Sequence, residues 1–238
     1  MKKTLLAIAA CFSFLAGFCT PRQIQAQSPA PRFDHVVRQD FFAGLGGDPA
    51  AMERAMKQAE AVLAAQPGHA EALVWHGAGL FFQSGQAFRA GENAKAQELW
   101  GRSLEEMDRA VSLAPDSIGV RIPRGATLLT AARFVPPQFA KPLWDRAAED
   151  YSRVFELQRH RIATMPTHSK GELLSGLAEA WTLTGRAADA QPLLERMVRE
   201  MANTPYARRS AEWQEKGMPP APRRACIGCH EPSPTASR

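Results

Sequence analysis

The stretch Gly171-Glu-Leu-Leu-Ser-Gly-Leu-Ala-Glu-Ala-Trp181-Thr-Leu-Thr-Gly185, continued by Arg186-Ala-Ala-Asp-Ala190-Gln-Pro-Leu-Leu194-Glu-Arg-Met197, decides the fold. Leu174, Leu177, Ala178 and Trp181 recur at helical spacing before Gly185, and Ala190, Leu194 and Met197 do so before the Thr204-Pro205 stop. Each set lines one face of a helix, so the stretch predicts two amphipathic helices joined at a glycine and ended by a proline. A hairpin of that kind cannot bury its apolar face alone and needs neighbours of the same kind.

The chain supplies them on both sides. Downstream, Tyr206 to Lys216 with Trp213 predicts a capping helix. Upstream, Trp144 to Ile162 is long and helical and ends near Pro166, whereas residues 134–142 hold Pro136, Pro137 and Pro142 and are expected to interrupt the helices. A third hairpin begins at Ile118, with Gly125 in the place that Gly77 holds in the second. That second hairpin opens at Ala70 and returns from about Ala94 through Leu99, Leu104, Met107 and Val111 to Ala114-Pro115; Gly77 is expected to let its helices approach closely. The first runs from Phe33, with Asp48 capping its second helix, Pro49 at the first helical position and a stop at Gln66-Pro67-Gly68. Tyr is scarce and good helix formers dominate, so the fold class is all-α.

The pattern resembles the tetratricopeptide repeat family, whose period is about 34 residues. With Gly171 as the first position, Ala178, Trp181, Gly185 and Ala190 fall on the family's small, large, turn-glycine and alanine positions. The second hairpin matches at Gly77, Ala110 and Pro115 if about 14 extra residues are allowed between its helices. The resemblance implies a right-handed helical-hairpin solenoid over residues 35–216, with a groove for a protein partner.

The two ends differ from this body. Met1-Lys2-Lys3, the apolar run Thr4 to Phe18 and Ile24-Gln25-Ala26 read as a secretory signal peptide over residues 1–26, the run being shorter than the about 20 apolar residues that span a bilayer. Residues 27–34 read as a linker. Export would put the protein in the periplasm or outside the cell, with no membrane association once the signal is gone. Cys11 and Cys19 would leave with it, so no disulfide framework holds the fold. Lys2, Lys3 and Arg22 would leave too, removing three of the five formal positive charges and with them the argument for a nucleic-acid partner.

Residues 217–238 form a Pro-rich tail, expected to be flexible, around Cys226-Ile227-Gly228-Cys229-His230. Cys-x-x-Cys-His is the attachment signature of c-type haem: the two thiols bond the porphyrin and His230 is the proximal iron ligand. The motif resembles that of cytochromes c. A redox dithiol is the weaker reading, since no βαβ pattern accompanies it, and so is structural zinc, since these residues offer three ligands at most. The distal ligand would come from Met218, His35, His76, His160 or His168, with a body histidine preferred, and the loaded tail is expected to lie against the body because burial takes an apolar ring out of water.

As a metal set on their own, His76, His160 and His168 read as solvated or core-satisfied, although Glu156 and His160 are spaced to share a helical face. The five tryptophans read as packing residues. No nucleophile elbow, phosphate loop or dinucleotide fingerprint occurs, so the body does not read as an enzyme. The expected function is that of a haem-bearing electron-transfer accessory or protein-interaction module, with a protein partner in the groove or a redox partner. The alternatives are a scaffold with a vestigial motif, and a haem sensor or peroxidase-type enzyme.

Overall fold

The computed structural model describes residues 32–220; the expected signal peptide, residues 27–31 of the expected linker, and residues 221–238 with Cys226, Cys229 and His230 lie outside them. Among the described residues 83% are helical and none is in a strand, so the chain is all-α. The helices are α1 Phe33–Leu45, α2 Pro49–Ala65, α3 Ala70–Arg89, α4 Asn93–Leu113, α5 Ile118–Ala131, α6 Pro137–Gln158, α7 Thr167–Leu183, α8 Ala187–Glu200 and α9 Pro205–Lys216. They pack as successive hairpins, α1 with α2, α3 with α4, α5 with α6 and α7 with α8, and α9 closes on α8. The odd-numbered helices also touch one another in series, so one layer runs through the stack while each even-numbered helix backs its hairpin partner.

The local reasons are those of the sequence. Asp48 accepts hydrogen bonds from the N–H groups of Ala50 at 3.0 Å and Ala51 at 3.1 Å, with Pro49 opening α2. Thr204 accepts from Ala207 N–H at 3.2 Å ahead of Pro205 in α9. Asp48→Ala is expected to cost about 1 kcal/mol, because two N–H groups at the start of α2 lose their acceptor; urea denaturation of the variant measures it.

The second hairpin departs from expectation. The extra residues between its helices form no long loop: α3 has 20 residues and α4 has 21, joined by Ala90, Gly91 and Glu92. Both helices are simply longer, which keeps their faces in contact along the whole hairpin. At Gly77 a Cβ would lie 2.9 Å from Met107 Cγ and 3.0 Å from the Ser103 carbonyl oxygen, so here the close approach of α3 and α4 requires glycine.

The interruption expected over residues 134–142 is shorter than the sequence suggested. Ala132–Phe134 form a 3-10 turn, Pro137 opens α6, and Pro142 lies inside that helix. Pro123 in α5 and Pro192 in α8 occupy the same position, the sixth residue. A proline there removes only the bond from the sixth N–H to the second carbonyl, so the disturbance stays in the first turn. Pro142 and Pro192 are exposed, and water can take the carbonyl each one frees.

The core is continuous from Phe33, Val37 and Phe41 in α1 to Met197 in α8 and Trp213 in α9. Ala178 and Ala190, placed by the repeat pattern at the crossing of α7 and α8, are buried, and Gly185 between them has φ 84°. The tryptophans serve packing: Trp75 meets Phe41 edge-on at 4.9 Å, Trp100 meets Phe81 at 5.6 Å, and Trp181 carries Arg186 over its ring at 4.4 Å.

Candidate functional site

Cys226, Cys229 and His230, the residues expected to attach a haem, follow the last described residue, so the structure contributes the surface from which that segment departs. Helix α9 ends at Lys216, and Gly217, at φ 69°, takes the left-handed turn that reverses the chain, its N–H bonding the Trp213 carbonyl at 2.8 Å. Met218 is 62% exposed. Pro220 is buried against the body, and its carbonyl accepts from Arg209 Nη2 at 2.9 Å. The prolines therefore do not carry the chain away from α9; by Pro220 it has folded back beside the middle of that helix.

A polar relay runs onward from there. Arg209 lies 3.8 Å from Glu179 of α7, and the other oxygen of Glu179 accepts from Arg133, next to Phe134. Phe134 is 76% exposed and Phe139, at the start of α6, is 62% exposed, the two flanking Pro136-Pro137.

The candidate distal ligands are scattered. His35 is on α1, largely exposed beside Asp34. His76 is buried in α3, its Nδ1 2.5 Å from Glu106 Oε2 and its Nε2 3.7 Å from Glu60, so it faces carboxylates on two neighbouring helices. His168, exposed in the first turn of α7, lies with Nδ1 2.8 Å from the Tyr206 hydroxyl, which itself donates to Glu172 at 2.7 Å. The hydroxyl proton is committed to Glu172, so Nδ1 of His168 is the donor to the hydroxyl oxygen. His160 does not share a helical face with Glu156: α6 ends at Gln158, His160 is exposed in the turn beyond, and Glu156 pairs with Arg159 at 3.5 Å. The histidine spacing ran past the helix it was read on. Among the described residues no three His, Cys, Asp or Glu side chains come together as a metal site.

Sequence reasoning missed the largest polar feature of the body. Asp150 of α6 is fully buried and accepts from Arg124 Nε at 2.7 Å, Arg124 Nη2 at 2.9 Å and Arg121 Nη1 at 2.7 Å. Arg124 also binds Asp108 of α4 at 2.9 Å, Asp108 binds Arg146 at 3.0 Å, and Arg121 reaches Glu149 at 3.2 Å and the Pro115 carbonyl. Burial opposes the charge on Arg124, but the hydrogen bonds and charge of Asp150, with Asp108 and Glu149 behind it, hold the guanidinium above its ordinary value. Three arginines face three carboxylates, so the cluster is internally neutral and ties α4, α5 and α6 together. A signal existed: Arg121, Arg124, Gly125 and Leu128, like Ala147, Asp150, Tyr151 and Val154, are spaced as one buried helical face, which puts opposite charges at core positions of adjacent helices.

A small cleft between α2 and α3 is lined by Met52, Met56 and Glu60 among others, and by Lys57, which pairs with Glu53 at 2.6 Å. Among the described residues no helix is long and apolar enough to cross a membrane. Comparison of the chain with protein-family models, curated proteins and solved structures finds no match in any of the three.

Proposed function

We propose that this is an exported helical-repeat protein of tetratricopeptide-like build that carries one c-type haem, covalently bound through Cys226 and Cys229 with His230 as its iron ligand. It would serve as an electron-transfer accessory or protein-interaction module in the periplasm or outside the cell. The observation that carries the reading is Cys226-Ile227-Gly228-Cys229-His230 in a chain whose other two cysteines fall within the signal-like leader. The donor set suits the group: two thiols for the thioether links and an adjacent imidazole for iron. When bound, the haem would supply one-electron chemistry. The chain's own part is to present it on a segment beside a rigid stack, and successive hairpins are a build that recognises partner proteins over an extended face. In the charged cluster Asp150 is buried between Arg121 and Arg124, and Asp108, Glu149 and Arg146 balance the charge from a more exposed rim, which suits a structural role better than a catalytic one.

Expression in the periplasm of a host with haem-attachment machinery tests this. The purified protein is expected to be coloured, heavier by one haem, and positive for haem after denaturing electrophoresis. Cys226→Ser or Cys229→Ser weakens the staining and the double change abolishes it. Colour that is lost on denaturation of the unaltered protein would rule out the thioether link.

A further inference from the structure

We infer that the exposed Phe134 and Phe139 form the docking surface for this protein's own haem-bearing segment, residues 221–238. The inference rests on the haem reading above and adds where the loaded segment lies. Phe134, 76% exposed at the end of the 3-10 turn, and Phe139, 62% exposed in the first turn of α6, leave most of two aromatic rings in water, and covering them would gain up to about 1.5–3 kcal/mol each. The course of the chain up to Pro220 points to what covers them. Gly217 turns the chain back on α9, Pro220 is buried, and its carbonyl is held by Arg209. From Arg209 the polar contacts lead through Glu179 to Arg133, whose neighbour is Phe134. Cys226 follows Pro220 by six residues, a reach of up to about 20 Å in extended chain, over which the segment would carry its porphyrin toward the rings.

The chemistry matches on both sides. A haem held through its edge by two thioethers leaves a broad apolar face in water, and aromatic rings beside proline are a rigid apolar counterpart that loses little entropy on contact.

Limited trypsin digestion of the full-length, haem-loaded protein tests the assignment, because Arg223 and Arg224 lie between Pro220 and Cys226 and cleavage there frees a coloured peptide. Release from Phe134→Ser/Phe139→Ser is expected to be about tenfold faster than from the parent, since cleavage follows the population of the undocked segment. Phe88→Ser, which alters an exposed ring on α3, is expected to leave the rate unchanged. Both positions are on the surface, and an unaltered helical circular dichroism spectrum confirms that the variants are folded. Equal release from parent and double variant, or equal acceleration by Phe88→Ser, overturns the docking while leaving the haem reading intact. A protein that takes up no covalent haem, judged by mass before digestion, overturns the proposed function and the docking with it.

Discussion

Asp150→Asn is expected to destabilise the body by about 3–5 kcal/mol, because it removes a fully buried carboxylate that faces two buried guanidiniums. Arg121 and Arg124 are 6% and 5% exposed, so neither can turn to water without opening the contact between α5 and α6. An asparagine of the same shape accepts through one oxygen and presents an amide NH2 where Arg124 now finds the second. For a domain of this size the melting temperature is expected to fall by about 10 °C, read by circular dichroism. Asp116→Asn is the comparison: the Asp116–Arg153 pair is also 2.7 Å long but lies on the surface, and its loss is expected to cost less than about 1 kcal/mol. Similar small losses in both variants would mean that the cluster does not hold the helices. Replacing Arg121, Arg124 and Asp150 together by Met, Met and Leu is expected to recover much of the loss, since no charge is then stranded.

The second large effect is expected at Tyr151, buried on α6 with a glycine on either side of its ring. A Cβ on Gly125 of α5 would lie 3.0 Å from Tyr151 Cε2, and one on Gly176 of α7 would lie 2.2 Å from Cε1 and Cζ. The ring thus fills a gap between α5 and α7 that exists only because both positions lack a side chain. Tyr151→Ala should cost about 3–5 kcal/mol, as for other large aromatic truncations in a core. Gly176→Ala should cost about 1–3 kcal/mol by overpacking, since the ring is stiff and closely surrounded. In the double variant the new methyl enters the cavity left by the ring, so the combined loss should fall short of the sum by about 1 kcal/mol or more. Denaturant titration of all four proteins measures this; strict additivity would show that the ring and Gly176 do not compete for space.

The helical body is largely legible in the sequence. The hairpin at Leu174 to Met197, the cap at Asp48 and the glycine at Gly77 all lie where helical spacing and terminus chemistry put them, because each depends on residues a few positions apart or on the size of one side chain. The interruption expected over residues 134–142 is present but ends at Pro136, because the one bond lost to Pro142 in the first turn leaves α6 intact. The supposed insertion in the second hairpin was helix, since extra residues with continuing apolar spacing lengthen the pair without opening it. The pairing of Glu156 with His160 failed because the end of α6 came two residues too soon.

By itself the sequence determined the all-α class, the succession of hairpins and the chemistry available at Cys226, Cys229 and His230, because periodicity, caps and ligand identity are local properties. Only the tertiary structure decided that Arg121 and Arg124 share Asp150, that Tyr151 fits between two glycines from different hairpins, and that Pro220 returns to Arg209. Each of those joins residues from different elements, and no local rule governs their meeting: the distance between them is set by how successive hairpins stack.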